Sequence, residues 1–174
     1  MSALRLINEF SASSVVSLSA TDVFTSDFDI YKITSTDWNN PSANTDLNFR
    51  LINSSGSVIS ASEYDFARIN MRSYSGFTEV RGTSENFMGY GTYIASGQSY
   101  SAGQSMHIFN PYNSSSYTFL TIQNSFVFGA SGNLNTKGIA VHKSAEQISG
   151  IQFYSRSGAT VDINIRVYGL RVDS

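Results

Sequence analysis

The sequence predicts an all-β protein, a two-sheet antiparallel sandwich of the jelly-roll type with about eight or nine strands. Charged residues make up only 14% of the chain, and Ser, Thr, Asn and Gly take their place. Twelve Phe and ten Tyr supply an aromatic core of the kind that strands favour. Apolar and polar residues alternate with period two in several segments, and no sustained helical period occurs.

The last segment, residues 148–170, shows this alternation best. Its second half places aliphatic residues on one face at positions Val161, Ile163, Ile165 and Val167. Ser and Gly at 155–158 are typical of a turn. We therefore expect the chain to close with a half-buried antiparallel hairpin.

Short strands and turn signals alternate through the first half of the chain. We expect strands near residues 4–10, 15–20, 28–34 and 47–51. Between them we expect a polar break at 11–14, a turn at 22–27 that carries Phe24 inward, a loop at 37–45 and a hairpin turn at 53–56. Residues 58–69 fit either a strand or a short helical turn.

The second half contains a glycine-punctuated, aromatic segment at 73–104, which predicts short strands with long, variable loops. Strands are expected near 105–109, 117–122 and 139–142. A polar loop is expected at 129–138, and one helical turn at 144–147 with Ser144 as its cap.

Bulk properties exclude several classes of protein. The length of 174 residues predicts a single domain over 1–174, in which residues 1–12 could serve as a short N-terminal attachment strand. The net charge of −2 and the absence of a basic block argue against nucleic acid as a partner. No segment has the roughly 20 apolar residues of a membrane span, and no signal-peptide core is present. The absence of Cys rules out disulfides and thiolate sites.

Three catalytic or metal-binding patterns are weak. His107 and His142 invite a Ser-His-Asp triad, but no Gly-x-Ser-x-Gly motif occurs, so structural or solvent-exposed roles are favoured. The acid pairs that a glycosidase would need are sparse: Glu63 with Asp65, and Glu79 with Glu85. Asp22, Asp27 and Asp29 lack calcium-loop spacing, which favours a solvated acidic turn. We expect no enzyme activity, no metal and no cofactor.

Aromatic residues in loop-like contexts are the best candidates for an interface or a receptor contact. Flat rings beside amides and hydroxyls suit both protein interfaces and sugar faces, although such rings can also be buried at the ends of a sandwich or in a subunit interface. The candidates are Trp38, Tyr74, Phe77, Tyr90, Tyr93, Tyr100 and Tyr112.

Several ordered motifs resemble small virion structural proteins of tailed phages of aquatic bacteria. The opening Leu4-Arg-Leu-Ile, the Ser-rich stretch at 11–14 and the segment 24–31 are similar to the opening of that family. Met106-His-Ile-Phe-Asn-Pro111 resembles its central element, and 148–169 resembles its closing segment. Residues 73–104 match nothing in the family.

The resemblance implies a jelly-roll virion protein without catalytic residues or cofactor. It implies a homo-oligomer, most often a trimer, on the exterior of the particle, made in the host cytoplasm and released by lysis. The expected role is a tail-fibre or tail-attached protein that contacts a host-surface glycan or protein. A capsid decoration or head-fibre protein is the alternative, and a free carbohydrate-binding module or a depolymerase is weaker.

Overall fold

Twelve β-strands form the fold in this computed structural model, which describes residues 4–39, 43–94, 102–127 and 132–170. No helix occurs in these ranges. The strands are β1 (Leu4–Val15), β2 (Ser17–Ala20), β3 (Ile30–Asn39), β4 (Thr45–Asn53), β5 (Tyr64–Arg72), β6 (Gly76–Glu85), β7 (Tyr90–Ile94), β8 (Ala102–Phe109), β9 (Thr118–Val127), β10 (Asn133–His142), β11 (Ile148–Ser155) and β12 (Val161–Leu170).

The strands form two antiparallel sheets that pack as a jelly-roll sandwich. The larger sheet has eight strands in the order β1-β12-β3-β8-β9-β10-β5-β6, and the smaller has four in the order β2-β11-β4-β7. Most connections cross from one sheet to the other, which is typical of the jelly-roll class. The predicted fold class is confirmed, although twelve strands exceed the expected eight or nine.

The core lies between the two sheets and is built from inward-facing residues at every second position. The smaller sheet contributes Phe49 and Phe153, whose ring centroids lie 6.2 Å apart. The larger sheet contributes Ile33, Met106 and Ile165, all fully buried. Phe24 is also buried, as predicted from the turn that precedes β3.

The expected closing hairpin is wrong, because its two strands belong to different sheets. β11 pairs with β2 and β4, whereas β12 pairs with β1 and β3. The turn near Gly158, at φ +76°, therefore carries the chain from one sheet to the other. Both strands still place their apolar residues toward the core. The predicted alternation of buried and exposed residues is therefore confirmed, whereas the predicted pairing of the two strands is wrong.

Other boundaries also differ from the sequence predictions. β1 continues through the Ser-rich residues 11–14, because their backbone pairs with β12 across two irregularities in register. The glycine-rich segment contains β6, a ten-residue partner of β5, and β10 starts at Asn133 inside the expected polar loop. Residues 144–147 form no helical turn.

Candidate interaction surface

The register of the eight-stranded sheet aligns outward-facing residues into rows that cross seven or all eight of its strands. One row is largely apolar and runs Leu4, Leu170, Ile30, Phe109, Phe119, Val141, Asp65. The next row runs Leu6, Tyr168, Lys32, His107, Thr121, Ile139, Ala67, Arg81. We call these two rows the apolar band.

Large apolar side chains of the band are exposed to solvent. Ile139 is 63% exposed, Leu6 is 51% exposed and Phe119 is 45% exposed. Tyr117, two residues before Phe119, is 46% exposed. Scattered exposed apolar residues are ordinary, but a contiguous set of them marks an interaction site.

A groove lies within the band near the β5–β6 edge of the sheet. It has a volume of about 550 Å³ and is lined mainly by apolar groups, including Phe119, Ile139 and Val141. Asp65 and Arg81 also line it. The Asp65 carboxylate is engaged by Lys143 at 2.8 Å and accepts a hydrogen bond from the Ser84 amide at 2.7 Å. These contacts lower the pKa of Asp65.

The same face becomes polar beyond the band. The next row runs Glu9, Arg166, Thr34, Ser105, Gln123, Lys137 before it reaches Ile69 and Glu79. Arg166 Nη2 lies 2.8 Å from Glu9 Oε1, and its hydrogen bond lowers the pKa of Glu9. Several exposed apolar residues thus lie at the band end of the face, although Ile69 and Phe77 are exposed toward the other end.

The outer face of the four-stranded sheet is polar. Its rows join Ser19, Gln152 and Arg50, and then Ser17, Tyr154 and Asn48. The Arg50 guanidinium lies over the Tyr154 ring at 4.4 Å and donates a hydrogen bond to the Asn86 carbonyl at 2.8 Å. Among the described residues, this face carries no row comparable to the apolar band.

The structure separates the aromatic residues that the sequence singled out. Tyr74 and Phe77 lie at the β5–β6 turn, at the polar end of the face, and are 41% and 72% exposed. Tyr112 follows β8 at the opposite end and is 37% exposed. Tyr93 packs against a small buried cluster that includes Phe126. These four residues do not form one patch, and a contact role for them stays a prediction.

Three further candidates have no described side chain. Trp38 and Tyr90 lie on β3 and β7 by their backbone only, and Tyr100 lies outside the described residues. Their predicted roles remain untested predictions.

The two histidines differ in their surroundings. His107 faces outward in the band, where partial burial and then the neighbouring Lys32 charge lower its pKa. His142 is fully buried at the end of β10, and its Nε2 lies 3.1 Å from Glu63 Oε2 and 3.7 Å from Glu146 Oε1. The acid pair considered from the sequence is therefore split, because Glu63 contacts His142 and Asp65 contacts Lys143.

Sequence reasoning missed the exposed residues of the apolar band. Phe119 and Ile139 lie in strands, next to the buried Leu120 and Ala140. The sequence predicted both strands but left the face of Leu120 uncertain and assigned no face to Ile139. The missing information was the strand order. Without it, residues as distant as Leu4 and Val141 could not be placed on one surface.

Comparisons with known proteins yield structural likenesses only. No family model and no curated protein matches the chain. The chain is similar to the CBM22-1 xylan-binding domain from Paenibacillus barcinonensis Xyn10C at 10% identity and a TM-score of 0.32, covering 95% of this chain and 72% of that one. It is similar to the PL-14 alginate lyase from Aplysia kurodai at 7% identity and a TM-score of 0.35, covering 84% and 72%.

A viral protein is also among the similar structures. The VP2 subviral particle of infectious bursal disease virus matches at 13% identity and a TM-score of 0.19, covering 98% of this chain and 42% of that one. Likenesses this remote do not indicate a function.

Proposed function

We propose that this protein is a non-enzymatic structural component of a phage virion that assembles as a homo-oligomer through the apolar band. The observation that carries the assembly is the exposure of Leu6, Phe119 and Ile139 on the same face of one sheet. The resemblance of the chain's ordered motifs to virion proteins supports the particle as its location.

The size of the band is adequate for a contact between copies. Eight strands spaced about 4.8 Å apart, with two rows about 7 Å apart, give roughly 500 Å² per copy. Two copies would then bury about 1,000 Å² in total, which is the lower range for a specific interface. Flanking residues such as Tyr117 enlarge this area.

The charges within the band also suit a second copy of the same chain. Lys32 is the one fully charged group in the centre of the two rows, while Asp65 and Arg81 lie toward one edge. Interface cores are poor in charge and rich in aromatic and aliphatic groups, with polar residues at the rim. A closed assembly in which bands meet near a symmetry axis would bury the apolar rows and leave the polar rows in solvent.

On the particle, we favour a tail-fibre or tail-attached position in which the exposed end near Tyr74 and Phe77 contacts the host surface. Capsid decoration is the alternative. Immunogold labelling of purified virions, with antibodies against the untagged protein, tests this. Label on the tail supports the tail position, label over the head supports decoration, and the absence of label overturns the virion assignment.

Assembly is tested separately by sedimentation velocity of the purified protein across a concentration series. We expect an oligomer at micromolar concentration, with the trimer as the form that the family resemblance implies. A monomer that persists at about 100 µM would contradict the use of the band as a contact between copies.

A second function is favoured by the groove beside Phe119. An aromatic ring with a polar rim can hold a sugar ring, so polysaccharide binding in this groove is the competing proposal. Isothermal titration with host-surface polysaccharide distinguishes the two, because a bound glycan and a second copy would compete for the same residues. If the protein is a monomer that binds the glycan, and Phe119→Ala abolishes that binding, the result would favour a carbohydrate-binding module over the contact between copies.

A further inference from the structure

Three donor atoms from separate segments converge at one end of the sandwich. His142 Nε2, Glu63 Oε2 and Glu146 Oε1 all lie within 4.8 Å of one another. Glu63 leads into β5 and His142 ends β10, whereas Glu146 precedes β11. The cluster thus joins two strands of the larger sheet to one strand of the smaller sheet.

We propose that Glu63, His142 and Glu146 form a binding site for a divalent transition-metal ion of the zinc class. One imidazole nitrogen and two carboxylate oxygens are a donor set that suits such ions. Calcium and magnesium favour sites built from oxygen alone, so the histidine selects against them. A water molecule would complete the coordination.

The spacing of the donors fits a four-coordinate ion after small movements. Bonds of about 2.0–2.1 Å in a tetrahedron place neighbouring donors roughly 3.3 Å apart. The observed separations from His142 Nε2 are 3.1 Å to Glu63 and 3.7 Å to Glu146. Both glutamates are partly exposed, with side chains 39% and 33% exposed, so they can adjust while the histidine stays fixed.

The histidine is held in place by its surroundings. His142 is fully buried, and its ring lies 5.0 Å from the ring of Tyr64. The Lys143 amide donates a hydrogen bond to the Glu63 carbonyl at 2.8 Å, which anchors Glu63 beside the end of β10. A metal ligand that is already positioned loses little conformational entropy on binding.

The charge balance of the cluster favours a cation. An imidazole Nε2 carries at most one proton and can donate it to only one carboxylate, yet two carboxylates face it. Lys143, the next residue in the chain, binds Asp65 instead. Among the described residues, His142 Nδ1 is buried and has no hydrogen-bond partner, so packing against Tyr64 holds the ring. A divalent ion would neutralise both carboxylates at once.

Titration of Zn²⁺ into untagged, metal-stripped full-length protein tests the site. We expect one ion per chain with a micromolar dissociation constant, and a melting temperature that rises with Zn²⁺ because the ion binds the folded state. Glu63→Gln and Glu146→Gln should each weaken binding at least tenfold. Glu79→Gln, which changes an exposed acid on β6, is the matched control and should leave binding unchanged.

The chain's two histidines provide an internal control. In a long-range ¹H–¹⁵N spectrum, Zn²⁺ should shift the Nε2 signal of His142 and leave that of His107 in place. Binding at His107 alone, binding that survives both glutamate substitutions, or no binding at 1 mM Zn²⁺ would each overturn the proposal. Because the site lies in every chain, these readouts do not depend on assembly or on the virion.

Discussion

The two outer faces of this sandwich follow the same alternation but present different chemistry. On the four-stranded sheet, the outward rows are polar, and the Arg50 guanidinium lies over Tyr154. On the eight-stranded sheet, the outward rows at one end are richer in apolar residues, and Ile139 and Leu6 are exposed to solvent. Both faces come from one low-charge chain, so composition does not explain the difference.

The comparison shows that the pairing of the strands, rather than the number of apolar residues in the chain, determines where these residues gather. On the larger sheet itself, the row containing Glu9 and Arg166 lies only two residue positions from the band along the strands. A face that changes from apolar to polar over that distance has a boundary, as expected for a contact area with a solvated rim. We therefore predict that substitutions on the two faces have separable effects.

The largest effect is expected from a new charge among the exposed apolar residues of the band. Ile139→Lys should weaken self-association about 100-fold, or about 2.8 kcal/mol, because a buried lysine without a partner loses its hydration. Sedimentation velocity measures this change. Stability of the monomer should barely change, since Ile139 is mostly exposed in the single chain.

Gln152→Lys is the matched control, since it places the same charge on the outer face of the smaller sheet. It should leave the association constant unchanged. Equal weakening by both substitutions would mean that net charge, rather than the band, governs association.

A smaller effect is expected from Arg50→Ala on the polar face. The substitution removes the contact with Tyr154 and the hydrogen bond to the Asn86 carbonyl, and should lower the free energy of unfolding by about 1–2 kcal/mol. Urea unfolding measures this change. Association should stay intact, which is the reverse of the result for Ile139→Lys.

Lys32→Ala is the control for Arg50→Ala, because it also removes a cation but does so from the band on the other outer face. It should not lower the free energy of unfolding. If Lys32→Ala destabilised the monomer as much as Arg50→Ala, the band would have a structural role within the single chain.

The smallest effect concerns pH and the polar row beside the band. The hydrogen bond from Arg166 lowers the pKa of Glu9 in the folded state. Its stabilising contribution is therefore present above the unfolded pKa of about 4.3 and is lost as the pH falls through the lower folded value. Glu9→Gln should reduce the acid sensitivity of the urea midpoint between about pH 5 and pH 3, and an unchanged acid profile would contradict this role for Glu9.

Sequence alone identified the inward face of the most regular strands but not the order of the strands, and it placed Leu6 and Val16 inward although both are exposed. Alternation in residues 161–167 correctly identified the inward set of β12. The same alternation fits a hairpin and a connection between sheets equally well, so the partner of β11 was misjudged. Local signals also ended β1 too early, because its Ser-rich residues are held by pairing with β12 rather than by their own propensity.

The candidate surfaces depend even more on long-range pairing. Glu63 and His142 are 79 residues apart, and only the pairing of β5 with β10 brings them together. The contact residues predicted from the sequence are aromatics in loops with Gly and Ser. Phe119 is not among them, because a ring within an alternating strand gives no sign of whether its face is covered.

The pairing of β1 with β12 has a mechanical consequence. Leu4 stands opposite Leu170, so the described chain starts and finishes side by side on neighbouring antiparallel strands. Tension between those two points would pull on the interstrand hydrogen bonds one after another, as in opening a zipper, and not on all of them together. A single copy is thus poorly suited to carry load from end to end, and in the assembly proposed above force would have to pass through contacts between the faces of adjacent copies.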